Sequence, residues 1–132
     1  EKDVQQTLKL HNVEFIALAG FMRVLTSWFT EQWEGRMINI HPSLLPKYPG
    51  LHTHKRAIEA GDAEAGCSVH WVTEGVDEGA VIDQERVAIQ EGDTPDTLAE
   101  RVLEREHILY PRALAKAIDD FLDREAEDEA EA

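Results

Sequence analysis

Asn39 and His41 stand one residue apart in the run Met37-Ile38-Asn39-Ile40-His41-Pro42-Ser43-Leu44-Leu45-Pro46. Met37, Ile38 and Ile40 mark the end of a buried strand, on which alternate residues project from the same face. An amide donor and an imidazole can therefore converge there on one small group. The chain then breaks into a loop in which Pro42, Pro46 and Pro49 each remove a backbone donor and fix a φ angle. A strand ending in a stiff loop is a good place to hold chemistry. A histidine works best there as imidazolium, a form that a neighbouring carboxylate favours and orients. Asp77, in the glycine-flanked loop Glu74-Gly75-Val76-Asp77-Glu78-Gly79, is the candidate partner because that loop follows an adjacent strand. Taken singly, an Asn at a strand end and an Asp between glycines are turn formers, and a lone His fills a core or surface position. The combination carries the inference.

The elements that must position these groups follow from periodicity and punctuation. Residues 1–11, with Val4, Leu8 and Leu10 apolar, predict an amphipathic helix already under way at the first residue, and residues 13–19 predict a buried strand ending at Gly20. A helix and strand with no earlier partner point to a chain cut into an existing α/β order, so the N-terminus is expected to be a truncation. Gly20-Phe21-Met22-Arg23-Val24-Leu25 reads as a tight turn with an apolar patch against the core. Thr26 is a suitable N-cap for a helix over 27–34, and Gly35 sits where a left-handed C-terminal residue is wanted. Trp28, Phe29 and Trp33, at near-helical spacing, are expected in the core. Residues 36–40 form the second strand. A helix over 53–60 ends at Gly61, 62–66 is a surface turn, and 67–73 alternates as a third strand. Residues 80–89 give a fourth strand with Val81, Val87 and Ile89 buried. Thr94 as N-cap and Pro95 at the first helical position open the last helical region, which Pro111 is expected to break or kink.

The totals exclude several classes. A chain of 132 residues with 42% hydrophobic content makes one domain with a real core. Its net charge of −14 argues against nucleic acid, which needs a basic face. Half of that charge lies in residues 119–132, with eight acidic side chains and one basic. Residues 123–132 are therefore expected to be an acidic, disordered tail beyond a domain of residues 1–122. A lone Cys67 supports neither an internal disulfide nor a cysteine metal framework. His41, His52, His54 and His70 lack the spacing and support of a closed ligand set, so no metal is expected. No apolar run approaches the roughly 20 residues that cross a bilayer, and no signal peptide opens the chain, so a cytoplasmic protein without membrane contact is expected.

Asn39-Ile40-His41-Pro42-Ser43-Leu44-Leu45-Pro46 resembles the signature of enzymes that move a formyl group from 10-formyltetrahydrofolate. The continuation Lys47-Tyr48-Pro49-Gly50-Leu51-His52-Thr53-His54 is similar specifically to the phosphoribosylglycinamide formyltransferases of purine synthesis, and the resemblance runs from about Val13 to about Phe121. It implies an α/β fold: an open, mainly parallel sheet flanked by helices, here with the N-terminal strands and phosphate loop missing. It implies transfer of formyl from the co-substrate 10-formyltetrahydrofolate to the primary amine of glycinamide ribonucleotide, without metal. It assigns Asn39, His41 and Asp77 as the catalytic constellation. Met22, Arg23, Val24 and Leu25, with Val72, Glu74, Gly75, Val76 and Asp77, would surround the folate. Met22, Asn39, His70 and Glu106 would meet the nucleotide, Glu106 accepting from its ribose hydroxyls, and His107 matches as a structural residue.

Such a transfer needs attack on a carbonyl carbon, a tetrahedral species bearing an oxyanion, and removal of a proton from nitrogen. Donors already aimed at that oxygen commonly contribute about 2.7–4 kcal/mol each. Departures from the family pattern are the lack of a glycine-rich phosphate loop before Val13, Leu103 where a polar contact is common, and Ala80 in place of a proline. Two rivals remain at this level: a 10-formyltetrahydrofolate deformylase, in which water is the acceptor, and a noncatalytic interaction unit associating through the sheet edge left bare by the missing strands.

Overall fold

The strand at the centre of the candidate site, β2 (Met37–His41), is apolar at three of its five positions because it is covered on both faces. Met37 and Ile38 are completely buried and Ile40 nearly so. The chain is described here by a computed structural model covering residues 1–19 and 25–131, without the Glu131 side chain. Its other elements are α1 (Lys2–Leu10), β1 (Ile16–Leu18), α2 (Ser27–Gln32), α3 (Thr53–Glu59), β3 (Glu64–Trp71), β4 (Val81–Ala88) and α4 (Pro95–Glu131).

The four strands form one open sheet in the order β1-β2-β3-β4. The α/β architecture with flanking helices agrees with the sequence, but strand direction does not follow the expectation of a mainly parallel sheet. Only β1 and β2 run parallel; β2–β3 and β3–β4 are antiparallel. Direction is set by how each connection returns, which the hydrophobic pattern of a strand does not encode. In the β2–β3 ladder Asn39 lies opposite His70 and His41 opposite Ser68, and in β3–β4 Ser68 lies opposite Gln84. These five polar side chains thus share one face of the sheet.

The opposite face, with Ile38, Ile40, Cys67 and Val69, packs against Leu98, Val102, Leu109, Ala113 and Ala117 of α4. Cys67 is a free thiol at 0% exposure, and that burial pushes it up to about 12. A second cluster joins Met37 to Phe29 and Trp33, with the Trp33 indole donating to Gln5 Oε1 at 2.7 Å. Trp28, expected in the core, is instead 41% exposed, because a helix as short as α2 buries one side only. Thr26 caps α2 as expected, its hydroxyl accepting from Phe29 N, and Gly35 has φ +73°.

Three further expectations are corrected. The turn expected over 62–66 is shorter, since β3 already begins at Glu64. A register shift between Val69 and His70 places His70 opposite Val81 and Val69 opposite Asp83, so Ile82 is an extra residue on β4. That bulge breaks the two-residue period, turning Val81 outward at 41% exposure while Ile82 joins Val87 and Ile89 against the core. Pro111 does not interrupt α4, which is continuous from Pro95. A helix-interior proline costs about 3 kcal/mol. It is offset here by tertiary packing on both sides of it: Leu109 and Ala113 are fully buried, Arg112 and Lys116 grip Asp83, and the Tyr110 hydroxyl donates to Leu18 O.

The helix also runs on through 123–131 rather than dissolving into the tail expected there. Glu and Ala are strong helix formers, and like charge alone does not stop a helix that tertiary packing has already nucleated. Residues 122–130 are exposed, and Arg124 ties their base to the body by donating to Gly35 O at 2.8 Å and lying 5.2 Å over the Trp71 ring.

Candidate functional site

At the carboxyl ends of β1 and β2 the sheet opens into a cleft of about 650 Å³. Ligands of open α/β sheets bind at this end of the parallel strands. Asn39 and His41 line the cleft from β2, and His70 lines it from β3. The loop after β3 brings Asp77 over them in a left-handed conformation with φ +54°. Asp77 Oδ2 lies 3.3 Å from His41 Nδ1 and Oδ1 lies 3.3 Å from His70 Nε2. The carboxylate thus stands between two imidazoles at ion-pair distance.

All three groups are dry, with side-chain exposures of 8% for His41, 4% for His70 and 10% for Asp77. Each imidazole has its other ring nitrogen on a backbone carbonyl: His41 Nε2 on Tyr48 O at 2.8 Å and His70 Nδ1 on Trp71 O at 3.0 Å. A carbonyl only accepts, so those nitrogens carry their protons, while the nitrogens facing Asp77 lie within contact of its carboxylate, His70 Nε2 without a hydrogen bond of its own. Asp77 Oδ2 also accepts from Gly50 N at 2.9 Å, which ties the proline loop to the same group. Asn39 Oδ1 is buried without a hydrogen-bond partner. An orphaned acceptor of that kind in a cleft wall suits a ligand N–H.

Of the other residues singled out from the sequence, Leu25, Val72, Gly75, Val76 and Glu106 also line the cleft. Glu74 does not, although it sits on the same loop. Met22, Arg23 and Val24 lie outside the described residues. Burial pushes the Glu106 carboxyl above its ordinary range, with His107 opposing the shift. Sequence reasoning missed Leu18, Thr73 and Ala99, and it gave no role to Leu51 or His54, all of which line the cleft. His54 had a signal in its place within the proline-loop run. Its Nδ1 is buried without a partner, and burial, then the neighbouring His41, holds it below the ordinary imidazole range. Among the described residues no cluster of three or more His, Cys, Asp or Glu is placed to hold a metal ion, and no helix is long and apolar enough to cross a membrane.

Residues 1–114 match the family model described as formyl transferase. The chain belongs to the formyl transferase family. Within it, the chain is 54% identical over 132 residues to the trifunctional purine biosynthetic protein adenosine-3 of Drosophila pseudoobscura pseudoobscura, covering 98% of this chain and 10% of that protein. It is 45% identical over 115 residues to the phosphoribosylglycinamide formyltransferase of Escherichia coli (strain K12), covering 87% of this chain and 54% of that protein. The crystal structure of phosphoribosylglycinamide formyltransferase from Bacillus halodurans superposes with a TM-score of 0.83 at 45% identity, over 87% of this chain and 59% of that one. This formyl transferase chain therefore spans about half the length of the bacterial relative and a tenth of the insect protein.

Proposed function

We propose that this chain carries the formyl-transfer centre of a phosphoribosylglycinamide formyltransferase, which moves the formyl group of 10-formyltetrahydrofolate to the primary amine of glycinamide ribonucleotide in purine synthesis. The observation that carries the reading is the carboxylate of Asp77 set 3.3 Å from His41, beside Asn39, in the wall of a cleft. The names of the relatives support the same chemistry.

The residues present fit the co-substrate. Leu25, Leu51, Val72 and Val76 give the cleft apolar walls suited to a flat ring system, while the polar groups are few and convergent. When bound, the folate supplies an activated formyl group. The chain's own residues then hold that group and the amine together in a site shielded from water. Asn39 Nδ2 and the His41 ring donate toward the formyl oxygen as it gains negative charge. Asp77 stabilises the imidazolium without moving. His41 Nε2–H, which donates to the Tyr48 carbonyl, turns its hydrogen bond to the substrate oxygen, an exchange of one acceptor for a better one. Asn39 Oδ1 accepts from the attacking amine, and Asp77 takes its surplus proton through water and passes it on to the folate nitrogen as that nitrogen's bond to the formyl carbon breaks, so that tetrahydrofolate leaves and the Asp77 carboxylate is restored. Glu106 accepts from ribose hydroxyls, and His70 braces Asp77 from the far side.

Metal-free chemistry and a cytoplasmic location belong to the same proposal. The test is turnover of both substrates by the full-length protein: N-formylated nucleotide forms in proportion to tetrahydrofolate. Formate released equally well with no amine present would assign a hydrolase instead. No turnover with either acceptor, together with a dimer in sedimentation, would assign an interaction unit.

A further inference from the structure

Residues 42–51 lie outside every helix and strand, so no ladder or helical hydrogen bonds serve this loop's carbonyls, and several of them find side-chain partners. Two of those partners sit beneath it in the sheet. Ser68, at 0% exposure, donates its hydroxyl proton to Ser43 O at 2.7 Å and accepts from Leu45 N at 3.1 Å and from Gln84 Nε2 at 2.9 Å. One donor and two acceptor sites are all that a hydroxyl has, and all are used. Gln84 Nε2 spends its second hydrogen on Leu45 O at 2.9 Å. In this knot the Ser68 hydroxyl and the Gln84 amide nitrogen are both filled by these bonds.

What the knot holds is the segment that touches the site. Past Leu45 the chain runs to Tyr48, whose carbonyl accepts from His41 Nε2, and to Gly50, whose N–H donates to Asp77 Oδ2. The same ladder register that sets Ser68 opposite His41 sets Gln84 opposite Ser68. We propose that Ser68 and Gln84 are positioning residues for formyl transfer: by fixing Ser43 and Leu45 they fix the proline loop, and through it the ring of His41 and the carboxylate of Asp77. The inference rests on the proposed role of His41 and Asp77. Neither Ser68 nor Gln84 touches a reacting atom; both act through the loop.

The test uses Gln84→Met, which removes both donors at similar volume, and the nearly isosteric Ser68→Ala, in the full-length protein. Each is compared with the parent by steady-state kinetics and by the solvent exchange of the His41 ring N–H in NMR spectra. Displacements of a fraction of an ångström at a distance cost rate, so kcat falls about tenfold or more while each KM stays within about twofold. The His41 ring proton exchanges at least about tenfold faster, since its carbonyl cap is loosened. If Gln84→Met does not fold, Ser68→Ala carries the same two readouts. Folded variants with unchanged kcat and unchanged ring exchange would overturn the proposal and leave the formyl-transfer reading standing. A parent protein that transfers no formyl group would sink that reading and with it the positioning role, even where ring exchange still responds.

Discussion

Asp77 and His41 meet at 3.3 Å between Oδ2 and Nδ1, although the chain leaves β2 and β3, into separate loops, at opposite ends of their antiparallel ladder. One loop follows β3, and the other follows β2 and returns the Gly50 N–H to the same Asp77 oxygen. The Asp77 carboxylate thus ties the loop after β2 to the loop after β3.

Asp77→Asn keeps the shape and leaves an acceptor for Gly50 N, but takes away the charge that stabilises an imidazolium. General acid–base assistance of this kind contributes about 10²- to 10⁴-fold, so kcat is expected to fall within that range with little change in the circular dichroism spectrum. Stopped-assay turnover within about twofold of the parent would remove Asp77 from the mechanism.

Glu106 poses a conflict between stability and binding. Its carboxyl is raised above the ordinary value of 4.5 by burial, so ionising it costs folding free energy. The favourable state is fully present below the unfolded pKa and is lost as pH rises through the folded one. Glu106→Gln is therefore expected to melt at a higher temperature than the parent at pH 7 and at the same temperature near pH 4, while binding the ribonucleotide more weakly. A melting curve showing the parent more stable at pH 7 would contradict this.

Asp83 behaves in the opposite sense. Burial works against its charge, but hydrogen bonds from Arg112, Lys116 and Gln84 N outweigh that and hold it at about 2, below the ordinary 3.8. A depressed carboxylate contributes stability above its unfolded pKa and loses it as pH falls through the folded one. Asp83→Asn should thus be less stable than the parent in urea at pH 6, and the gap should close between pH 4 and pH 2. A gap independent of pH would mean that the clamp on α4 is packing rather than charge.

Much of the architecture is written in local residue patterns. Met37, Ile38 and Ile40 announce a strand buried on both faces, Thr26 and Thr94 announce caps, and the spacing of Asn39 and His41 announces a shared face. What local pattern cannot carry is pairing at a distance. The antiparallel return of β3, the bulge at Ile82 that inverts the burial of Val81, and the saturation of Ser68 by Gln84 all depend on which strands become neighbours. Pro111 is the same lesson from a helix: its local cost is real, and the buried Leu109 and Ala113 beside it decide the outcome. The acidic segment 123–131 reads as unstructured by charge and as helix by composition, and helix prevails where α4 is already formed.

The central claim is that an amide and an imidazolium share the stabilisation of one formyl oxygen. Single-turnover formylation of glycinamide ribonucleotide by Asn39→Ala and His41→Ala, in full-length protein whose folded spectrum matches the parent, tests it most directly. Loss of one such donor costs about 10²- to 10³-fold in rate, and that is the result expected for each variant. Turnover at the parental rate in both would contradict the account.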